Sequence, residues 1–415
     1  MQPIKGHQYS ELVVSLSVRL YMELGCGFRG MVKALSVVKD VLGWDFACVP
    51  NRNSIENWVK KSGLAVYREP GQVIPSADYA MILDESMMIG SEKMLLTLGV
   101  KATKTDDTPV GHRDVEVLGI SVKPSWNSQH IGQDLQKSME KIKAAPRYII
   151  SDNCSSLAKA IRETGHAHIR DVSHTLGMFL ERIYKNDREF SAYMKEVSSV
   201  RFQQVMNPVA YLLPPKQRTI ARFLNLSAIA EWSGKLLGNY HTLTRQQQQV
   251  FHFIPRYASF IEEIAEVLRC VNEIQREIKQ RGISPQTILR CQLLMGKHLG
   301  CINDRTLRLI EEIRGYLKRE GRKMEACPQA WHASSDVIES LFGTYKAKKS
   351  PNKLYGVTSF VLILPLRTRI GSIKANPFDF KKSLESVSMA DIQKWQGETL
   401  TENLVIKRNK TLKYD

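Results

Sequence analysis

Two aspartates follow apolar runs in the first half of the chain, at positions where β-strands are expected to end. Asp84 comes after the run at 81–83, and Asp152 comes after the run at 148–151. Two carboxylates that lie close together repel each other unless they bind a cation, and their oxygens suit Mg²⁺ or Mn²⁺. Two such ions can clamp the attacking and leaving oxygens of an in-line phosphodiester displacement. The pair therefore predicts a metal-dependent phosphoryl-transfer site, although a strand-end aspartate is also a common turn former or helix cap.

A third carboxylate suited to such a site is Glu339, on an amphipathic helix predicted over 334–347. It follows a long helical segment, as an insertion between the second and third acids would require. Asp336, one turn earlier, is its nearest rival, and Glu311 and Glu312 have the pattern of a solvated helix face. The predicted catalytic residues, which are also the predicted ligands of two Mg²⁺ or Mn²⁺ ions, are Asp84, Asp152 and Glu339.

A sheet must position the two aspartates, and the chain after residue 78 has the period-two pattern of strands. Three strands joined by polar turns fit an antiparallel meander, and a helix, a buried strand, a short helix and a further short strand follow. In this order the first and fourth strands lie side by side, which brings Asp84 and Asp152 together. The predicted strands are 79–86, 93–102, 114–123, 146–153 and 166–174, and the predicted helices between them are 130–144 and 155–165.

From about 175 to 330 the apolar periodicity predicts an almost wholly helical segment. Its clearest part, 261–278, repeats apolar residues at steps of three and four throughout. Ser284, which precedes a proline, is expected to start another helix, and Asp304 is expected to cap the next one.

Residues 9–62 are expected to form three helices, with Asn53 or Ser54 as the cap of the third and Gly63 as its end. The outer face of this third helix is polar and basic, which is typical of a helix-turn-helix whose last helix enters a DNA groove. A small helical bundle with a solvated basic face is the alternative. The residues predicted to contact DNA from this helix are Arg52, Asn53, Asn57, Lys60 and Lys61.

The composition favours a nucleic-acid partner. The chain has 415 residues and a formal net charge of +17, and each Lys or Arg that meets a phosphate releases counterions. The sequence has no apolar run of about 18 residues, so it predicts no membrane span. The N-terminus lacks a signal peptide's apolar stretch. Seven cysteines without a C-x-x-C pair do not support a structural zinc site. We therefore expect a cytoplasmic, nucleoid-associated protein with no membrane partner and no small-molecule substrate.

The strand order, the two strand-end aspartates and the late helical glutamate resemble the ribonuclease H-like catalytic domain of DDE transposases of the bacterial insertion-sequence type. Many members carry Cys or Asp, two residues and then His after the fifth strand, and Asp171 and His174 stand there in this sequence. Lys346 matches a lysine that some members have seven positions after the glutamate. The sequence departs from the family at His332 and Ser335, where those relatives have Tyr and Arg.

The resemblance implies a DNA transposase that cleaves at transposon ends and transfers strands into target DNA. It implies double-stranded DNA as the partner, both as terminal repeats and as target, and a homo-oligomer that holds two ends together. Asp171, His174 and Lys346 are expected to support the active site, with structural packing as the alternative for His174. Lys348 and Lys349 are expected to contact the DNA backbone, or else to form a solvated helix end.

The implied fold class is an α/β ribonuclease H-like core with a large all-α insertion, preceded by an all-α helix-turn-helix domain. Within the insertion, Trp232 is expected either in the core or against a base flipped out near the cut. Two rival functions stay open: a ribonuclease H-like nuclease or resolvase without strand transfer, and a non-catalytic, transposase-derived DNA-binding regulator. The predicted segments are a helix-turn-helix domain at 1–66, a linker at 67–78, the first part of the core at 79–175, the insertion at 176–330, the C-terminal core helices at 331–375 and a basic tail at 376–415.

Overall fold

The chain is a mixed α/β protein that divides into two compact units. The first unit comprises Met1–Thr103, Val110–Ile169 and Ser335–Asp415, and the second unit comprises Lys104–Pro109 and Arg170–Ser334. No helix in the described part of the chain is both long and apolar enough to cross a lipid bilayer. The computed structural model describes residues 3–43, 48–70, 74–75, 77–86, 88–216, 223, 226–300, 303–324, 329–370, 378–402 and 404–412.

Three helices precede the sheet, as predicted. They are α1 (Glu11–Glu23), α2 (Phe28–Leu42) and α3 (Arg52–Arg68). The cap of α3 is Asn51, whose side-chain oxygen accepts a hydrogen bond from the Ser54 N–H at 2.9 Å. The prediction of Asn53 or Ser54 as the cap is therefore wrong, because both residues already lie within the first helical turn.

Gly63 does not end α3, contrary to the prediction, because the helix continues to Arg68. A β-carbon at position 63 would lie 2.1 Å from the carbonyl oxygen of Leu362. The missing side chain lets α3 approach the 3-10 turn Ser359–Leu362 closely, and glycine is the residue that permits such an approach. Glycine at position 63 therefore allows close packing of the helix and does not end it.

Replacing Gly63 by alanine is expected to lower the free energy of unfolding by about 1–3 kcal/mol, because the new methyl group overpacks the contact with Leu362. Urea denaturation followed by circular dichroism measures this loss. Gly132 is the matched control, since it lies in a helix of the same unit and a β-carbon there meets nothing within 4 Å. Gly132→Ala should instead stabilise by up to about 1 kcal/mol, and equal effects of the two changes would contradict the packing role of Gly63.

The sheet has five strands. They are β1 (Tyr79–Glu85), β2 (Lys93–Lys101), β3 (Val115–Lys123), β4 (Tyr148–Ser151) and β5 (Ala167–Arg170). Their order is β3-β2-β1-β4-β5, with β1, β2 and β3 paired as an antiparallel meander and β1 parallel to β4. The predicted meander and the predicted neighbourhood of the first and fourth strands are confirmed. The last two strands are shorter than predicted because an aspartate begins a turn or caps a helix directly after each of them.

Two helices cover one face of the sheet. They are α4 (Ser128–Ile142) and α5 (Ser155–Glu163). Met81 and Leu83 of β1 pack in one buried apolar cluster with Ile131 and Leu135 of α4 and with Leu157 of α5. Burial of these side chains fixes the faces of β1, since a slip of one residue would turn every side chain over.

The second unit is built from helices, as predicted. They are α6 (Val172–Tyr184), α7 (Arg188–Gln204), α8 (Ser227–Gly238), α9 (Arg245–Val250), α10 (Ala258–Arg281), α11 (Pro285–His298) and α12 (Asp304–Arg322). The apolar repeat predicted within 261–278 is buried along α10. Ser284 caps α11 as predicted, whereas α12 is capped by Asn303 and not by Asp304. Asn303 holds the cap because its side chain accepts the Thr306 N–H at 2.9 Å.

Arg305 joins three parts of the second unit. Its guanidinium binds Glu263 of α10 at 2.7 Å, Glu189 of α7 at 2.9 Å and Asp187, the cap of α7, at 3.2 Å. The arginine and two of the three acids are largely shielded from water, so these hydrogen bonds to charged groups are stronger than those on an open surface.

Arg305→Ala is expected to lower the free energy of unfolding by about 2–3 kcal/mol, because it leaves three neighbouring carboxylates without their cation. Arg256→Ala is the control, since Arg256 makes an exposed ion pair with Glu196 at 2.9 Å and should lose about 0.5 kcal/mol or less. Urea denaturation of both variants tests the difference. A loss at Arg305 no larger than the loss at Arg256 would show that the cluster does not stabilise the unit.

The described residues of the C-terminal part form five α-helices within the first unit. They are α13 (Asp336–Lys348), α14 (Ile363–Arg369), α15 (Phe380–Ser386), α16 (Met389–Thr399) and α17 (Leu404–Thr411). The segment predicted as a basic tail therefore contains helices, and α15 and α16 both pack against α3. Phe380, Leu384, Ile392 and Trp395 are buried there. Residues 376–377, 403 and 413–415 of the predicted tail lie outside the described part.

Candidate active site

The register of the parallel pair sets the two aspartates beside each other. Leu83 of β1 lies opposite Ser151 of β4, and Asp84 and Asp152 are the next residues along each chain. Neighbouring strands lie about 4.8 Å apart, so the two backbones emerge side by side at the carboxyl edge of the sheet. The prediction that these strand ends meet is confirmed.

Asp84 is largely buried, with 8% of its surface exposed. Its Oδ1 accepts a hydrogen bond from the Glu85 N–H at 2.7 Å, which offsets part of the cost of desolvating a carboxylate. Glu85 itself forms an ion pair with Lys93. Successive side chains of a strand point to opposite faces, so Glu85 and Asp84 have separate surroundings.

Asp152 begins the turn between β4 and α5. Its Oδ1 accepts the Cys154 N–H at 2.8 Å, the turn-forming bond that the sequence alone allows for an aspartate before a helix. The preceding Ser151 is fully buried, donates to the Asp152 carbonyl oxygen at 3.0 Å, and contacts His168 Nε2 at 2.8 Å. The contact between Ser151 and His168 of β5 therefore helps to hold the turn that carries Asp152.

Glu339 is an exposed residue in the first turn of α13, and α13 packs against β1 and α14. Lys346, two turns further along this helix, interacts electrostatically with both Asp84 and Glu339. Burial of its ammonium group lowers the pKa of Lys346, while the carboxylates of Asp84 and Glu339 oppose that decrease. The match of Lys346 to the family pattern stays a prediction.

Carboxylate oxygens from β1, β4 and α13 are the donor set that Mg²⁺ and Mn²⁺ prefer. No group of three or more His, Cys, Asp or Glu side chains within the described ranges meets the requirements for holding a metal ion. Mg²⁺ is commonly bound through one or two carboxylates, with water and substrate phosphates as its other ligands. The two adjacent aspartates fit that mode, and the metal role of Asp84, Asp152 and Glu339 stays a prediction.

Asp171 and His174 lie in the second unit, at the start of α6. Asp171 is fully buried and caps this helix: its Oδ1 accepts the His174 N–H at 2.8 Å and contacts His174 Nδ1 at 2.9 Å. An aspartate with a histidine three positions later is therefore explained locally as a helix cap. Support of the active site by these two residues stays a prediction.

The face of α3 that is predicted to contact DNA is exposed to solvent mainly in the first turn of the helix. Arg52 and Asn53 are exposed, but Asn57 is partly covered. Lys60 pairs with Glu56 at 2.5 Å, and Lys61 contacts His7 at 3.3 Å. Burial lowers the pKa of Lys61. α3 packs against α1, α2, α14, α15 and α16, which leaves this helix far less open than the sequence pattern suggests.

The other candidate DNA contacts differ in their surroundings. Trp232 of α8 is partly buried. Its Nε1 donates to the Leu212 carbonyl at 2.8 Å, and its ring packs edge-on against Phe251. These contacts agree with the alternative that Trp232 belongs to the core of the helical segment. Lys348 donates to the Tyr21 carbonyl at 2.8 Å and lies over the Tyr21 ring, and burial lowers its pKa. Lys349 donates to the Ser350 carbonyl at 3.1 Å.

Two histidines near the acids were not singled out from the sequence. His112 Nε2 lies 2.9 Å from Ser340 Oγ, directly after Glu339, and His168 reaches Ser151 before Asp152. No local pattern points to His112, because its partner is 228 positions away in the chain. His168 stands in a predicted strand next to the strand of Asp152, and that adjacency was the available signal.

No protein-family model matches this chain, and no curated protein sequence is similar to it at a significant level.

Proposed function

We propose that this chain is a DNA transposase of the DDE type, which cleaves the ends of its element and joins them to target DNA. The observation that carries the proposal is the meeting of strand ends: β1 and β4 present Asp84 and Asp152 side by side, and Lys346 lies within electrostatic range of Asp84 and Glu339. Acids brought together from distant parts of a chain cost free energy unless they bind cations.

We also propose a ribonuclease H-like fold for the sheet and its helices. The antiparallel meander of β1, β2 and β3, followed by β4 parallel to β1 and then β5, supports this fold. The helical second unit then corresponds to an insertion that precedes the helix carrying Glu339. Fold resemblance alone does not establish an activity, so the acids carry the functional part of the proposal.

In the proposed reaction, Asp84, Asp152 and Glu339 hold two Mg²⁺ or Mn²⁺ ions. When bound, such ions lower the pKa of the attacking water or 3′-hydroxyl and offset the charge that develops on the phosphate. The chain's own groups position these ligands: the Glu85 N–H holds Asp84 Oδ1, and the Cys154 N–H holds Asp152 Oδ1. Lys346 supplies positive charge beside the scissile phosphate, where a backbone contact would position the strand.

Double-stranded DNA is the proposed partner, and the net charge of +17 supports it. The exposed start of α3, with Arg52 and Asn53, is the part of the helix-turn-helix that we propose to contact the terminal repeats. A homo-oligomer in the cytoplasm that holds two DNA ends completes the proposal.

The test is an assay with the purified full chain and linear DNA that carries the sequences flanking its gene. With Mg²⁺ or Mn²⁺ we expect cleavage at defined positions and joining of the 3′ ends to a target plasmid, and with EDTA we expect neither product. Cleavage without joining would favour the nuclease or resolvase alternative. Specific DNA binding without metal-dependent cleavage would favour the regulator.

A further inference from the structure

The C-terminal helix α17 carries an excess of positive charge on an exposed surface. Lys407, Arg408 and Lys410 lie within about one helical turn, and all three side chains are exposed. α17 itself contains no acid, and Lys410 pairs with Glu402 just before the helix. Lys407 and Arg408 have no carboxylate partner among the described residues. These two cations therefore face solvent with their charge unbalanced.

The 3-10 turn Lys353–Tyr355, against which α17 packs, adds another exposed cation. Lys353 forms no ion pair with any residue that the structure describes. Glu92 is the acid bonded to this segment, but it is 7% exposed and its Oε2 accepts the Val357 N–H at 2.8 Å. Its carboxylate is therefore turned towards the backbone, and it leaves the charge of the nearby surface positive. Lys353, Lys407, Arg408 and Lys410 form what we call the α17 surface.

Backbone contacts place the α17 surface at the end of the sheet where Asp84 lies. The turn between β1 and β2 begins directly after the strand that carries Asp84, and it contains Gly90 and Glu92. A β-carbon at Gly90 would lie 2.5 Å from the Lys353 carbonyl oxygen, so the two backbones touch there. The bond from Val357 to Glu92 holds the same segment from its other side. α17 therefore packs on a turn that is fixed beside the end of β1.

A surface of unbalanced cations fits a polyanion, because each Lys or Arg that meets a phosphate releases counterions. An anionic membrane surface would also require a broad apolar face on the helix. The apolar residues of α17 are the consecutive residues Leu404, Val405 and Ile406, which point in different directions around a helix and form no such face. Double-stranded DNA is the polyanion that the chemistry of this surface favours.

We propose that the α17 surface is a DNA-backbone contact, in which Lys353, Lys407 and Arg408 bind phosphates of the duplex that flanks the cleavage site. Contacts to phosphates position a duplex without reading its sequence. The contact would therefore hold any DNA that is brought to the acids, in contrast to the sequence-reading role proposed for α3. This inference rests on the proposed function, since it takes the cleaved DNA as the ligand.

The test uses Lys407→Gln/Arg408→Gln in the full chain, with thermal unfolding as the check that the variant folds. Binding of a fluorescent duplex is measured by anisotropy in Ca²⁺ buffer at several NaCl concentrations. Loss of two phosphate contacts should reduce the slope of log affinity against log salt by about 1.8 and weaken binding at low salt at least about tenfold. Adding Lys353→Gln should reduce the slope by about 0.9 more. The loss should be equal on duplexes with and without the sequences flanking the gene.

Lys137→Gln/Lys143→Gln is the matched control, because it removes the same charge from two exposed lysines of the same unit. Lys143 directly follows α4, close to where β4 begins, and Asp152 lies beyond the opposite end of that strand. The slope of this control should stay that of the unaltered chain. Equal slopes for the two double variants, or no DNA binding by the unaltered chain, would overturn the DNA contact.

A second arm tests the membrane alternative with phosphatidylserine vesicles. We expect the unaltered chain and Lys407→Gln/Arg408→Gln to bind these vesicles equally weakly. Vesicle binding that the double variant abolishes, with an unchanged slope on DNA, would assign the α17 surface to a membrane and overturn the inference.

The same measurements separate this inference from the proposed function. Metal-dependent cleavage and joining with an unchanged Lys407→Gln/Arg408→Gln slope would remove the α17 contact and leave the transposase. A reduced slope in a chain that never cleaves DNA would keep the contact and remove the transposase.

Discussion

Asp84→Asn is expected to lower the rate of metal-dependent DNA cleavage by a factor of about 10³ or more, while DNA affinity changes by less than about threefold. The amide keeps the size of the side chain and can still accept the Glu85 N–H through its oxygen. It removes the negative charge with which Asp84 is proposed to help hold a cation. A bound metal contributes several kcal/mol to the transition state, and each 1.4 kcal/mol corresponds to about a tenfold change in rate.

Glu85→Gln is the matched control for this experiment. It makes the same chemical change one residue later on the same strand, but Glu85 pairs with Lys93 instead of contributing to the predicted site. We expect its cleavage rate to stay within about threefold of the unaltered chain, since a partly exposed ion pair contributes little to stability. Cleavage and joining are measured on the same labelled DNA, and binding is measured in Ca²⁺ buffer.

Asp152→Asn should give the same loss as Asp84→Asn, and the double variant should lose little more than either alone, because residues that hold one metal site act as a unit. Retention of activity in Asp84→Asn would contradict the two-metal site. If DNA-dependent regulation survived and no cleavage were found in any form, the non-catalytic regulator would be the better account.

The sheet and its acids could be predicted because their signals are local. A period-two pattern identifies each strand, and the predicted strand order then places the fourth strand beside the first. Asp84 and Asp152 stand directly after their apolar runs, so knowing the strand order was enough to predict their meeting. The bounds were less accurate at 166–174, where Asp171 caps a helix instead of lying within the predicted strand.

The surroundings of α3 could not be predicted, because they depend on contacts far apart in the chain. The polar face of α3 predicts a surface that is accessible to DNA. However, α15 and α16 pack on this helix from more than 300 positions away in the chain. Gly63 shows the same limit: only its contact with Leu362 explains why the glycine is there.

Glu339 is the third acid of the predicted set, and a pair of variants tests whether it is a metal ligand. Glu339→Gln is expected to lower the cleavage rate about 10³-fold, as for Asp84, because α13 packs against β1 and Lys346 links Glu339 electrostatically to Asp84. Asp336→Asn is the matched control from the same helical turn. We expect it to retain at least about a third of the rate and to lose about 0.5 kcal/mol of stability through the helix dipole.

The comparison is informative because both acids lie in the first turn of α13, where either carboxylate favours the helix N-terminus. A stability change alone therefore cannot identify the metal ligand, whereas the cleavage rate can. Titrating Mn²⁺ into each variant adds a second measurement: Glu339→Gln should need more metal for half-maximal cleavage, and Asp336→Asn should not. The reverse pattern would move the third acid to Asp336, and full activity in both variants would leave the two strand-end aspartates without a partner on this helix.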